Sequence, residues 1–242
     1  MTGLPPLIQV AAPADFAGFR ATARALLADG VAPAAVTWAH EAFGLLFAEP
    51  AYAGRESAPM PAVPRELVQL LEAAACHRSD ARWALMYRLL WRSRHENRAL
   101  VRDAADPDVS ALQRMAAAVR HDVHRMHAFL RFREVDEADG RRYVAWYEPQ
   151  HLVLDRALPF FVERFANLRW MIATPDGAAA WDGRELTRAP APPPGTSPPP
   201  DAAEDLWCTY FANVFNAART NPRALARHLP KRWWKHLPEG RE

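Results

Sequence analysis

Between Val109 and Met126 the apolar residues recur at intervals of three and four: Val109, Leu112, Met115, Val119, Val123, Met126. That spacing lines them up along a helix of period 3.6, so "DPDVSALQRMAAAVRHDVHRM" is predicted to be amphipathic and helical. Immediately afterwards the period falls to two. Leu130 and Phe132 alternate with Arg131 and Arg133, the turn "DEADG" follows, and "RRYVAWYEP" continues the chain, which predicts a hairpin with a five-residue loop. "HLVLDRALPFFVERFANL" returns to helical spacing, with Leu154, Leu158, Phe161, Phe165 and Leu168 on one face. Pro159 implies a kink there, or a fresh start near Leu158. "RWMIATP" and "AAAWDGRELT" read as short strands around Asp-Gly turns. The expected centre is β-β-α-β-β, a small mainly antiparallel sheet with one covering helix.

The first 110 residues read as helical. "DFAGFRATARALLADG" has Asp15 as N-cap and Gly30 as stop, with Phe16, Phe19, Ala23 and Leu26 as its stripe. "PRELVQLLEAAACH" opens with Pro64, and "SDARWALMYRLLWRSRHE" is expected to be capped by Ser79 or Asp80. In the latter, Trp83, Met86, Tyr87, Leu90 and Trp91 form the apolar side, opposite Arg82, Arg88 and Arg92.

From Ala189 to Pro200 seven of twelve residues are proline, an extended linker spanning about 37 Å as polyproline II. The chain should therefore leave the sheet after Thr187. Beyond the linker, "EDLWCTYFANVF" is too apolar to float: Leu206, Tyr210 and Val214 make a helical stripe flanked by Trp207, Phe211 and Phe215. It is expected to fold back and bring Asn216 and Arg219 near the sheet and His124. The organisation expected is a helical region over 1–110, an α+β region over 111–188, the linker over 189–200 and a basic helical tail over 201–242. Together they would make one structural unit of the α+β class.

Composition adds a bias. Of thirty basic residues only Lys231 and Lys235 are lysine, and the net charge is +2. Genomic base composition accounts for much of the arginine, yet arginine is also the side chain best shaped for phosphate. Cys76 and Cys208 fit no disulfide or zinc spacing and read as buried thiols. Two cysteines are too few for an iron–sulfur cluster held by this chain alone. With no apolar run long enough to span a bilayer and no secretion signal, the expected location is the cytoplasm, and no cofactor is called for.

Candidate chemistry gathers in "RHDVHRMHAFLRF", residues 120 to 132. Arg120, His124 and His127 fall on one line beside the core stripe, with His121 on another face. Histidines at a helix edge are commonly structural. Acid/base use of His124 is the sharper alternative, and a metal would need His124 and His127 with Asp122 or Glu148. A histidine pair spaced by three, without HExxH, is a weak metal signal. On the hairpin, Arg131 and Arg133 are expected on one side of the sheet, and Trp146 and Glu148 on one face of the partner strand. Arginine with aromatics can neutralise phosphates and stack bases. In the tail, Arg219, Arg223, Arg227, Lys231, Arg232, Lys235 and Arg241 face only Glu239 and Glu242, and "KRWWK" sets Trp233 and Trp234 among them. Basic residues interleaved with tryptophan suit a polyanion.

The segments "HRMHAFLRFREV", "YVAWYEPQH", "PFFVERFANLRWMIATPD", "AAAWDG", "LWCTYFANVFNAAR" and "LPKRWWKHLPE" together resemble a bacterial family of DNA metabolism or repair proteins. Its members are encoded beside a radical SAM protein of DNA-repair type, or fused ahead of a uracil-DNA glycosylase-like, uracil-DNA-binding domain. The chain departs from the family pattern at Ala217, where proline is usual, at Trp233 for tyrosine and at His236 for asparagine. Asn216 and Arg219 match, so the resemblance implies an anchoring role for them without a rigid proline turn. It implies a DNA context and a partner that would hold any cluster, but no reaction.

The expected function is a DNA-repair accessory that binds damaged or single-stranded DNA with a radical SAM or glycosylase-like partner. Arg120, His124, His127, Arg131, Arg133, Trp146, Asn216, Arg219, Lys231, Arg232, Trp233 and Lys235 would form its contact surface. One alternative is a DNA-processing hydrolase using His124, His127 and Glu148, which would have to converge with Asp182 in a concave pocket. The other is a protein–protein adaptor without DNA contact. Whether the chain is itself an enzyme stays open at this point.

Overall fold

The computed structural model describes residues 8–13, 15–39, 63–137 and 140–191. It is an α+β protein, and its contacts divide it into two compact units, 1–120 and 121–242.

In the first unit, strand β1 (Ile8–Ala11) pairs in parallel with β2 (Val36–Ala39), Ile8 opposite Val36 and Ala11 opposite Ala39. Helix α1 (Phe16–Ala28) connects them, as a parallel pair requires a crossover. This sheet corrects the all-helical reading of residues 1–110. "IQVA" and "VTWA" are too short for their alternation to stand out, and pairing across the intervening helix is what makes them strands. The ends of α1 follow the sequence. The Asp15 carboxylate accepts from the Gly18 amide at 2.8 Å, and Gly30 takes φ 68°, where a Cβ would be strained.

Among the described residues the unit also holds helices α2 (Arg65–Ala75) and α3 (Arg82–His95) and the first part of α4 (Pro107–Phe129). Phe19 stacks on Trp83 at 5.3 Å, and the Tyr87 hydroxyl donates to the Val31 carbonyl at 2.6 Å. Two expectations for α3 are corrected. Its N-cap is Ala81 and no side chain caps it. Arg82 is buried, with its guanidinium 4.2 Å over the Trp83 ring and donating to the Ser79 carbonyl. Arg88 and Arg92 instead reach the start of α4. Arg92 lies 2.7 Å from Asp106 and 3.0 Å from Asp108, and Arg88 lies 2.6 Å from Asp108.

The second unit holds the end of α4 and a five-stranded sheet in the order β3-β4-β5-β6-β7. The strands are β3 (Arg133–Glu137), β4 (Gly140–Trp146), β5 (Trp170–Thr174), β6 (Gly177–Trp181) and β7 (Leu186–Ala189). β4 and β5 run parallel across helix α5 (Leu154–Arg164), and every other pair is antiparallel. The sheet thus has one strand more than β-β-α-β-β, because "ELTRA" after the Asp182-Gly183 turn pairs back on β6. Pairing ends at Ala189, two residues later than expected, just before Pro190, which has no amide to donate. The β3–β4 loop is shorter than five residues, since pairing persists to Glu137 opposite Gly140. Pro159 sits inside α5 on its exposed side and starts no new helix. The helix ends at Arg164, so Leu168 falls off the predicted stripe and is 37% exposed.

The two faces of the sheet differ. On one, Trp170 meets Phe161 of α5 and Phe132, with ring centres 6.3 and 6.2 Å away. On the other, Val135, Val144, Met171, Ala173 and Ala178 form a separate buried cluster.

Candidate nucleic-acid interface

Helix α4 delivers its side chains by burial. Met126 and Leu130 turn inward, and so does Asp122, which is 1% exposed. One Asp122 carboxylate oxygen accepts from the His151 amide at 2.8 Å, and the other lies 3.7 Å from Arg125. Asp122 therefore ties α4 to the loop that leads into α5. His121 and His124 are exposed, as is Arg120 one turn before His124. An inward carboxylate and an outward imidazole do not form a ligand set, so Asp122 and His124 are not brought together. Among the described residues no group of three or more His, Cys, Asp or Glu side chains is placed to hold a metal ion.

His127 is half-buried. Its Nε2 lies 3.2 Å from the Ala157 carbonyl, and because a carbonyl only accepts, that nitrogen carries the proton. The ring stacks on Phe160 at 4.2 Å and meets the edge of Phe161 at 5.6 Å. Burial pushes its pKa below the ordinary histidine value; the bond to Ala157 opposes the shift and His124 adds to it. His127 is thus a neutral imidazole joining two helices, with an aromatic ring laid over it.

On the hairpin, the expectation that Arg131 and Arg133 share a sheet face is corrected. Arg131 precedes β3, and its guanidinium donates to the carbonyls of Ala128, at 2.7 Å, and Leu130, closing the end of α4. A basic side chain there also suits the negative end of the helix dipole. Arg133 is exposed on β3, opposite Val144, and by register shares a face with Arg142 and Trp146. The centre of that face is apolar and buried, with Val144 and Met171 each 1% exposed. The Trp146 indole donates to Glu148 at 2.8 Å, and Glu148 is exposed.

A cleft of about 480 Å³ opens along β5, β6 and β7, bordered by Arg142, Arg169, Met171, Trp181, Asp182 and Glu185. Asp182 is occupied in holding the β6–β7 turn, accepting from the amides of Arg184 and Glu185, and those bonds lower its pKa. Neither His124 nor Glu148 borders this cleft. His124, Glu148 and Asp182 are therefore not gathered in this cleft. Asn216, Arg219, Lys231, Arg232, Trp233 and Lys235 lie outside the described residues, as does most of the proline-rich segment.

Sequence reasoning passed over Phe160, which is 39% exposed. Its signal was available. In "PFFVER" two adjacent phenylalanines sit about 100° apart on a helix, so only one of them can face the core. Phe161 takes the core, and Phe160 is left at the surface between Arg156 and Arg164, one turn to either side.

Fold and surface define an α+β protein whose second unit carries cations and an exposed aromatic ring on neighbouring helices. A family model described as a domain of unknown function, DUF4130, matches residues 80–239, and the chain belongs to that family. No curated protein and no solved structure matches it. The matched span begins just before α3, so β1, α1, β2 and α2 precede it. Among the described residues no helix is long and apolar enough to cross a membrane.

Proposed function

We propose that the protein binds single-stranded or damaged DNA as an accessory in DNA repair, together with a radical SAM or uracil-DNA glycosylase-like protein. One observation carries the DNA half of this reading. From residue 121 to 133 the chain has Arg125, Arg131 and Arg133 against a single carboxylate, and that carboxylate, Asp122, faces inward. Every charge this stretch presents to solvent is positive, which is the footprint that draws a phosphate backbone. The partner half rests on the sequence resemblance, which also supplies the repair context.

Fluorescence anisotropy with a labelled single-stranded oligonucleotide tests it. Affinity should fall linearly in log–log with salt, with a slope of about 0.7 per phosphate neutralised. Replacing Arg131 and Arg133 with Gln should weaken binding and flatten the slope. Salt-independent binding, or a slope unmoved by the replacements, overturns the reading.

A further inference from the structure

We infer that Phe160, laid over His127, is a stacking platform for a base of single-stranded nucleic acid. The inference rests on the DNA-binding reading above and deepens it by naming the part of the ligand that is held.

Phe160 and His127 lie almost parallel, with ring centres 4.2 Å apart and planes inclined by 22°. His127 is fixed from beneath by its bond to Ala157 and by the Phe161 edge at 5.6 Å. Phe161 also presses edge-on against Phe160 at 5.3 Å. Phe160 is therefore held in place from one side and from one edge, while 39% of it remains in water. A flat ring held this way loses little freedom when a second flat ring stacks on it, which is what makes an aromatic side chain an efficient base platform.

Charge favours nucleic acid over an apolar partner. Arg156 and Arg164 flank Phe160 at one turn before and after it on α5, and both are exposed. On α4, His124 is exposed one turn before His127, close enough to lower the His127 pKa, and the exposed Arg131 lies just past the end of that helix, over the carbonyls of Ala128 and Leu130. Between Arg156 and Arg164 the only carboxylate is Glu163. The neighbouring Asp155 is held at 2.6 Å by Arg188. A ring with cations around it matches a base with phosphates on either side.

The test uses the full chain and two labelled twelve-nucleotide strands, one of thymidine and one in which abasic spacers replace every base. Phe160→Ala should weaken binding of the thymidine strand about tenfold and leave the abasic strand within about twofold. Phe160→Trp should restore the loss. Because Phe160 is partly exposed, the melting temperature of each variant checks that the fold is kept. If the wild type binds the thymidine strand and Phe160→Ala binds it equally well, the platform is overturned while DNA binding stands. Equal losses on both strands also overturn it, since they report lost charge or fold. If the wild type binds neither strand, DNA binding fails and the platform fails with it.

Discussion

The imidazole of His127 donates to the carbonyl of Ala157, thirty residues further along the chain, and so joins the end of α4 to the start of α5. That bond needs only the Nε2 proton of a neutral ring. Burial holds the folded-state pKa below the ordinary histidine value, so the folded protein takes up a second proton less readily than the unfolded chain. The stability it contributes is fully present above the unfolded pKa and is lost as pH falls through the lower folded value. His127→Gln should cost about 1–2 kcal/mol at pH 7.5 in urea unfolding. The gap between wild type and variant should narrow at acid pH. A gap that widens on acidification contradicts this account of the ring.

Asp122 has a different task, with one oxygen spent on the His151 amide. Asparagine keeps an acceptor of the same shape and removes a buried charge, so Asp122→Asn should stay within about 1 kcal/mol of wild type. Asp122→Ala leaves the amide without a partner and should cost about 1–3 kcal/mol. Hydrogen exchange should show the loss at residues 147–153, because the bond holds that loop. Uniform loosening of the whole unit would point to a packing defect instead.

Much of this architecture was legible in the pattern of residues. The stripe of α4 and the caps of α1 were readable because they depend on neighbours three or four positions apart. What was not readable depends on distant pairing. β1 and β2 become strands only by lying against each other across α1, and β7 only by returning to β6. The candidate site divided in the same way. The line of Arg120, His124 and His127 follows from helical spacing. That His127 is committed to Ala157, that Asp122 turns inward and that Arg131 closes the helix are facts about partners up to thirty residues away. Phe160 lies between the two cases, since helical geometry leaves it outside while only the structure lays it on His127.

Asp106 combines two roles at the start of α4. One of its oxygens accepts from the amides of Asp108 and Val109, and its carboxylate holds Arg92 at 2.7 Å. The bond to Arg92, helped by those amides, lowers its pKa below the usual carboxylate range. The stability it gives is present above the unfolded pKa and is lost as pH falls through the folded one. Asp106→Asn keeps the cap and loses the charge, and should cost about 1 kcal/mol; Asp106→Ala loses both and should cost about 2 kcal/mol. Equal costs for the two variants would mean that the cap contributes nothing.

Val135, Val144, Met171, Ala173 and Ala178 are each at most 2% exposed, and among the described residues they are joined only by Trp146, Ala180 and Ala189 of the same sheet. Helix α5 lies on the other face, where Phe161 meets Trp170 and Leu154 comes within 4.0 Å of where a Gly177 Cβ would stand. An apolar sheet face kept from water needs a cover, at about 25 cal/mol per Å² of apolar area removed. The sequence offers one in Leu206, Tyr210 and Val214 with Trp207, Phe211 and Phe215, and the proline-rich stretch after β7 is long enough to let it return. Limited proteolysis should then cut between residues 189 and 200 and leave two fragments that stay associated through gel filtration. Phe211→Asp should release the smaller fragment, lower stability by about 2–4 kcal/mol and raise binding of an apolar dye. Fragments that separate freely in the wild type, with no change in dye binding, would show that the face is covered by something other than this segment.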